Sequence, residues 1–144
     1  MDQPALTTDV IAGFPGETDA EHAETVAFCE EIGFLKMHVF PYSDRPGTRA
    51  SSLPGKVNGR VIRERAARLV AVSDAGGQAF RRRFDGRIVP VLVESRRTRD
   101  GRLTGLTDRY VRVDLDGSDA LMNTIVPVRV DGFGADRAHG RPET

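Results

Sequence analysis

The apolar residues of this chain change their spacing once, close to Gly86. From Val61 to Phe84 they recur at helical spacing, along one face of a single long helix. After Gly86 they alternate with polar residues in short runs, which is typical of strands that are buried on one side. Because one element cannot follow both periods, the sequence predicts two folding units, an α/β unit followed by an all-β unit.

A strand, a helix and a second strand are predicted before the long helix. Thr8–Gly13 is a short apolar run that ends in glycine, and Met37–Phe40 is a second run that is followed by proline. Between them a helix begins at Thr18 or Asp19, either of which can cap it, and Gly33 ends it. A segment of this order and length predicts a βαβ unit with parallel strands.

Alternating segments after Gly86 predict a small antiparallel β-barrel of the OB type, because they are short, separated by tight turns and free of helical spacing. The predicted strands are Ile88–Glu94, Leu103–Thr107, Arg109–Leu115 and Thr124–Val130. Pro90 and Pro127 fall inside these strands and favour an edge or a bulge, since proline has no N–H to donate. Asp131-Gly132 is predicted to be a turn, and the polar residues 134–144 are expected to be disordered.

Positive charge is concentrated in the middle of a chain whose formal net charge is zero. Residues 81–112 contain ten arginines and four carboxylates. Arginine pairs with phosphate through two parallel hydrogen bonds and stacks on bases, and Tyr110 adds a ring between two arginines. The segment predicts a surface for RNA, although an arginine-rich solvated surface explains the same composition.

Two loops follow the predicted strands of the α/β unit, and both are expected at the same mouth of the sheet. Parallel sheets bind ligands at the carboxyl ends of their strands, and glycines let the backbone approach a ligand closely. The residues concerned are Gly13, Phe14, Pro15, Gly16 and Glu17 in the first loop and Tyr42, Ser43 and Arg45 in the second. A tight turn and a surface ion pair explain these residues without a ligand, so the pattern alone leaves both interpretations open.

One cysteine, Cys29, limits the metal chemistry of the chain. It lies in a helical pattern and is expected to be a small buried apolar side chain. No Cys/His cluster has the spacing of metal ligands and no Ser-His-Asp arrangement is evident, so we predict neither metal ligands nor catalytic residues. No segment is apolar over the length of a membrane helix and residues 1–8 lack the features of a signal peptide, so a cytoplasmic location is expected.

The sequence around both loops resembles the radical-SAM tRNA methylthiotransferases, in the subtype that acts on threonylcarbamoyl-adenosine. Thr7–Thr18 and His38–Ala50 are similar to two motifs in the C-terminal half of that family. The helix with Arg63-Glu64-Arg65, and Val91–Val113 after it, resemble the linker helix and the TRAM domain of the same enzymes. The resemblance covers about residues 7–132.

The resemblance implies a division of the chain. Residues 1–59 correspond to the C-terminal βαβ part of a radical-SAM barrel of the TIM type, 60–85 to the linker helix, 86–133 to the TRAM β-barrel and 134–144 to a tail. It places the first loop near S-adenosylmethionine and the second loop on the same side of the mouth. It also assigns tRNA binding to the TRAM barrel, for which charge and ring placement single out Arg87, Arg97, Tyr110 and Arg112.

The family needs iron–sulfur clusters held by several cysteine thiolates, which this chain does not contain. We therefore expect no methylthiotransferase activity from the chain alone, and no tight binding of S-adenosylmethionine or of a cluster. The expected partners are tRNA and the N-terminal part of such an enzyme, with neither membrane nor DNA among them. The alternative is a stand-alone TRAM-type module that binds RNA without catalysis.

Overall fold

A computed structural model describes residues 4–143 of the chain. The structure is mixed α/β and divides into two compact units. Leu6–Gly77 form the α/β unit, and the residues from Gln78 onward form nearly all of the second, which contains a closed five-stranded barrel. Residues 1–3 and 144, on which parts of the leader and tail predictions fall, lie outside the described residues. No helix within 4–143 is long and apolar enough to cross a membrane.

Two parallel strands flank one helix in the α/β unit. Strand β1 spans Thr7–Ala12, helix α1 spans Asp19–Ile32 and strand β2 spans Lys36–Pro41. The strands pair in parallel, with Thr7 opposite Lys36 and Ala12 opposite Pro41. The predicted βαβ unit is therefore confirmed, and both strands end at the same edge of the sheet.

The caps of α1 explain where this helix begins and ends. Thr18 is the N-cap: its hydroxyl accepts from the backbone N–H of Glu21 at 3.2 Å, and the Glu21 carboxylate accepts from the Thr18 N–H at 2.8 Å. This capping box satisfies two N–H groups that have no partner inside the helix, and it lowers the pKa of Glu21. Gly33 ends the helix in the left-handed conformation, with φ of 65°.

The long helix α2 spans Gly59–Arg82, after a short 3-10 turn at Arg49–Ser52, and its path is continuous through Gly76 and Gly77. The boundary between the two units falls inside it. Ser73 is a polar residue on the buried face of α2. Its hydroxyl accepts from the backbone N–H of Met37 at 2.9 Å, so it is not left without a hydrogen-bond partner. The core of the α/β unit consists of buried side chains from all four elements, namely Ala12, Val26, Cys29, Met37, Ala66, Leu69 and Val72.

Five strands close into a barrel in the order β3-β4-β5-β7-β6. They are β3 (Ile88–Arg97), β4 (Leu103–Thr107), β5 (Arg112–Leu115), β6 (Ile125–Phe133) and β7 (Ala138–Pro142), with a short 3-10 turn at Asp119–Leu121. Valines and leucines that alternate along the strands are buried inside the barrel. The prediction of a purely antiparallel barrel was wrong in one pair, because β5 and β7 run parallel.

Strand β7 overturns the prediction of a disordered tail. It pairs with β5 on one side and β6 on the other, so it closes the barrel. Its residues are mostly polar or small. Gly140 is buried, and a Cβ there would lie 2.5 Å from the Arg129 carbonyl oxygen, so only glycine permits this close approach of the two strands. Asp131-Gly132, predicted as a turn, is instead an irregularity within β6, which continues in order to pair with β7.

The two strand prolines are also placed differently from the prediction. Pro90 and Pro127 face each other across the β3–β6 pair of the closed barrel. The N–H of Val93 donates to the Thr124 carbonyl at 3.0 Å in this pair, so by alternation the two prolines occupy a non-hydrogen-bonded position. Neither proline removes a hydrogen bond from this pair, which explains why the barrel accepts them without a free edge.

Candidate functional site

The two loops of the α/β unit meet at the carboxyl ends of β1 and β2. Phe14 from the first loop and Tyr42, Ser43 and Arg45 from the second line a groove of about 370 Å³. Phe14 and Tyr42 pack edge to face, with ring centroids 5.5 Å apart. The structure thus brings four of the predicted residues of this mouth together.

Lys56, which the sequence did not single out, holds the second loop. Its ammonium lies 5.4 Å from the centre of the Tyr42 ring and donates to Asp44 at 3.1 Å. The hydrogen bond from Lys56 lowers the pKa of Asp44, and the Tyr42 hydroxyl donates to the same carboxylate at 3.1 Å. A cation therefore already occupies one face of the Tyr42 ring. A ligand in this groove could pack only on the remaining surface of the ring.

Gly13 and Glu17 of the first loop make contacts within the fold. A Cβ on Gly13 would lie 2.5 Å from Ile62 of α2, so glycine is needed there for helix packing. The Glu17 carboxylate accepts from the Gly13 N–H at 2.7 Å and from the Arg65 guanidinium at 2.7 Å. Arg65 is buried and also contacts Asp19 at 2.6 Å. These bonds raise the pKa of Arg65 and join the loop to α2.

Pro15 and Gly16 lie away from the groove that contains Tyr42. Together with Phe14 and Glu17 they line a second shallow depression of about 330 Å³. Gly16 has φ of 90°, and its N–H donates to the Gly55 carbonyl at 2.9 Å. Of the described residues of the first loop, Phe14 alone lines the groove that contains Tyr42. The cofactor role of the five loop residues stays a prediction.

Five arginines converge on one groove of the barrel, which has a volume of about 320 Å³. Its lining residues are Arg96, Arg97, Thr98, Arg99, Thr104, Arg112 and Arg137. The predicted Arg97 and Arg112 are therefore neighbours. The sequence did not single out Arg96 or Arg99 within the basic segment, and Arg137 lay in the predicted tail, so only the barrel's closure brings it here.

The arginines of this groove differ in how much of their charge is already used. Arg97 donates to Asp119 at 2.7 Å and to the carbonyls of Gly101 and Gly117 at 2.6 and 2.9 Å, so it clamps two turns together. Arg112 donates to Glu94 at 3.0 Å, and this bond lowers the pKa of Glu94. Arg96 also donates to Glu94, at 2.9 Å, but its side chain is exposed, as is that of Arg99. These two exposed guanidiniums are the ones better placed to meet an anion.

Two further predicted residues lie outside the arginine-lined groove. Arg87 is exposed just before β3 and lines none of the grooves described above. The prediction that Tyr110 shares a strand with Arg112 was wrong, because β5 begins at Arg112 and Tyr110 lies in the preceding turn. The Tyr110 side chain is 77% exposed and borders an apolar groove on the same barrel.

The described residues do not fit an iron–sulfur cluster. Within 4–143 no group of three or more His, Cys, Asp or Glu side chains could hold a metal ion. Cys29 is free and buried in α1, where burial raises the pKa of its thiol. A cluster requires several thiolates, so no step of a reaction can be assigned to one here.

Sequence comparison relates this chain to enzymes that modify tRNA. It is 36% identical over 129 residues to the threonylcarbamoyladenosine tRNA methylthiotransferase MtaB of Bacillus subtilis (strain 168). It is 37% identical over 126 residues to the tRNA-2-methylthio-N(6)-dimethylallyladenosine synthase of Syntrophotalea carbinolica. These matches cover 88% and 87% of this chain but 29% of each relative. No protein-family model matches the chain.

The resemblance predicted from the loop motifs is confirmed, since the chain is homologous to a portion of the tRNA methylthiotransferases. The chain spans less than a third of the length of these relatives. The two identities differ by one percentage point, so they do not separate the two subtypes.

Proposed function

We propose that this chain is the C-terminal portion of a radical-SAM tRNA methylthiotransferase and that its β-barrel is a TRAM domain that binds tRNA. The observation that carries the proposal is the groove lined by five arginines on the barrel of a chain whose relatives are tRNA-modifying enzymes. A guanidinium matches the geometry of phosphate, and a groove with several of them follows a nucleic-acid backbone. DNA and membrane are not expected partners, and the location that suits the proposal is the cytoplasm.

The α/β unit supports the same proposal through what it leaves uncovered. Strands β1 and β2 form a two-stranded sheet within the described residues, so each has one open edge. Ile11 and Phe40 lie on the sheet face away from the core and are 53% and 52% exposed. Further strands of a barrel, from the N-terminal portion of the enzyme, would pair with these edges and enclose these side chains.

The groove at the ends of β1 and β2 would then belong to the active-site mouth. Phe14, Tyr42 and Arg45 offer two rings and a cation, which suit a nucleoside with a charged arm. In the full-length family S-adenosylmethionine and the iron–sulfur clusters supply the radical, the methyl group and the sulfur. This chain's residues would position the nucleoside, while the cluster ligands lie in the other portion, so the chain alone is inactive. The adenosine subtype acted on is the threonylcarbamoyl form in this proposal.

Binding of tRNA as a function of salt tests the proposal. We expect the whole chain to bind labelled tRNA at low salt and to lose affinity steeply as salt rises, because released counterions drive binding to phosphates. Replacing both Arg96 and Arg99 by glutamine should lower the slope of log affinity against log salt by about 2. Arg141→Gln, which removes an arginine on β7 outside the groove, is the matched control and should leave the slope unchanged.

The same measurement identifies the alternative. Absence of binding at low salt, or a flat salt response, would contradict the proposal. If mixing the chain with an N-terminal portion of a relative restores methylthiolation, the chain is part of an enzyme. Salt-dependent binding without any such restoration favours a stand-alone TRAM-type module that binds RNA without catalysis.

A further inference from the structure

An exposed apolar groove lies on the outer face of the barrel. It has a volume of about 360 Å³, and its walls include Pro90, Leu92, Leu106, Tyr110 and Ile125. Leu92 is 52% exposed and Ile125 is 70% exposed, whereas strand side chains that point inward are almost fully buried. Together these side chains form one contiguous apolar surface on which the flat face of a ligand can pack.

The strand register makes this apolar groove continuous with the arginine-lined groove. Leu92 lies opposite Ile125 on one side and opposite Leu106 on the other, so the three side chains form a row across β6, β3 and β4. Leu106 in turn lies opposite Arg112 on β5. Side chains opposite each other in paired strands point to the same face. The row therefore begins at the apolar Ile125 and ends at Arg112, which lines the arginine-lined groove.

The backbone of Tyr110 adopts a conformation that is strained for a residue with a side chain. Its N–H donates to the Thr107 carbonyl at 3.0 Å, and the Thr107 N–H donates to the Val111 carbonyl at 3.0 Å, so a three-residue turn joins β4 to β5. The last residue of this turn is in the left-handed conformation, with φ of 57°, where glycine is favoured. Because Tyr110 is 77% exposed, little of its ring is buried to offset this strain, and backbone strain of this kind is concentrated at ligand sites.

We propose that this apolar groove binds an unpaired nucleobase whose flanking phosphates lie in the arginine-lined groove. The inference rests on the proposed binding of RNA and deepens it, because it specifies single-stranded rather than duplex RNA at this face. A base has flat apolar faces that stack on the Tyr110 ring and pack on Leu92 and Ile125. Its phosphates are anionic and match the exposed Arg96 and Arg99 of the arginine-lined groove. A second copy of the chain that docked through the same face would instead bring its own arginines next to these, which like charge disfavours.

Two RNA probes and three variants of the whole chain test this inference. The probes are a labelled single-stranded uridine oligomer of about ten nucleotides and a blunt RNA duplex of the same length. Tyr110→Gly removes the ring at a backbone position that glycine favours, so the fold is kept, and Ile125→Ala shortens an exposed side chain. Ile88→Ala is the matched control, since Ile88 is 50% exposed on β3 but does not line the groove.

We expect Tyr110→Gly to weaken binding of the single strand by about 5- to 100-fold, and Ile125→Ala to weaken it by a smaller factor. The salt slope should stay unchanged in both, because stacking and apolar packing do not depend on counterions. Ile88→Ala should bind like the original chain, and the duplex should not distinguish the variants.

Salt-dependent binding of the single strand that is equal in all variants would overturn the inference and leave the proposed function standing. A chain that binds neither these probes nor tRNA at low salt would overturn both. Self-association that Ile125→Ala abolishes, without an effect on RNA binding, would assign the groove to a protein contact and overturn the inference alone.

Discussion

One buried guanidinium joins the loop after β1 to α2. Arg65 contacts the carboxylates of Glu17 and Asp19, and the Glu17 carboxylate also accepts from the Gly13 N–H. The side chains of Arg65 and Glu17 are 8% and 13% exposed. The loop's conformation therefore depends on a residue that comes nearly fifty positions later, which no local sequence pattern reveals.

Arg65→Met should lower the free energy of unfolding by about 2 to 4 kcal/mol, because it leaves the Glu17 carboxylate largely buried without its counter-ion. Urea denaturation followed by circular dichroism measures the change. Arg68→Met is the matched control on the same helix, since the Arg68 pair with Glu30 is exposed and should contribute less than about 1 kcal/mol. Equal losses for the two variants would contradict the importance of burial here.

Glu94 couples the stability of the barrel to pH. The hydrogen bond from Arg112, and a second from Arg96, lower its pKa. Because the folded pKa lies below the unfolded one, the stabilisation is present above the unfolded value and is lost as pH falls through the folded value.

Glu94→Gln should therefore destabilise the chain by up to about 1 kcal/mol at neutral pH. The difference from the original chain should shrink as pH falls below the unfolded pKa of about 4.3 and vanish only below the lowered folded pKa. Thermal unfolding across a pH series measures it. Arg112→Gln removes the partner and should show a difference that disappears over the same range. A difference that stays constant with pH would refute the link to Glu94.

Helix α2 carries a glycine whose function is packing. Glycine weakens a helix interior by about 1 kcal/mol relative to alanine, so Gly76 and Gly77 by themselves would weaken the centre of α2. In the structure a Cβ on Gly76 would lie 2.6 Å from the Phe34 carbonyl oxygen, so glycine allows the helix to approach the loop between α1 and β2.

Gly76→Ala should destabilise the α/β unit by about 1 to 3 kcal/mol, because the clash with a backbone oxygen outweighs the gain in helix propensity. Gly59→Ala provides the control within α2, as the nearest atom to its added Cβ is a flexible Arg63 nitrogen at 3.7 Å. Denaturant unfolding should show that variant to be neutral or slightly more stable. A stabilising Gly76→Ala would mean that the close approach is not required.

Strand β7 decides whether the barrel closes. Without it, β5 and β6 would each lose a partner and expose unpaired backbone groups. Arg137, which lies just before β7, also contacts the buried Asp114 at 3.1 Å.

A chain that ends at Phe133 should therefore lose the cooperative unfolding of the barrel, as measured by calorimetry, and should aggregate. A chain that ends at Pro142 keeps β7 and should unfold much like the full chain. If the shorter chain kept the same cooperative transition, β7 would be dispensable and the prediction of a disordered tail would regain support.

The two units of the molecule differ in how completely their sheets are paired. Every strand of the barrel has two neighbours, whereas β1 and β2 have one each within the described residues. A two-stranded sheet is only marginally stable without further partners. This difference predicts unequal stability within one chain.

Amide hydrogen exchange should show faster exchange in β1 and β2 than in the barrel strands, since local opening of the smaller sheet costs less free energy. Adding an N-terminal portion of a relative should slow exchange in β1 and β2 while the barrel strands serve as the internal reference. Equal protection in both units of the isolated chain would contradict the expectation.

Local patterns in the sequence determined the kinds of element and much of their order. The period change near Gly86, the capping of α1 by Thr18 and the stop at Gly33 are short-range effects, so they are visible in consecutive residues. The parallel βαβ unit also followed, because a crossover of that length permits few alternatives. The loop motifs were specific enough to indicate the family.

Only the tertiary structure decided what depends on contacts between distant residues. The polar segment of β7 becomes a strand because two other strands satisfy its backbone, which outweighs its weak apolar pattern. Arg137 joins the arginine-lined groove, and Leu92, Leu106 and Ile125 form one apolar row, through the register of a closed barrel. One signal of the apolar row was present in the sequence: β3 is apolar on both faces, and a strand of this kind typically has both of its faces covered. Strand register is set by the sum of many pairings, so no single segment of the sequence contains it.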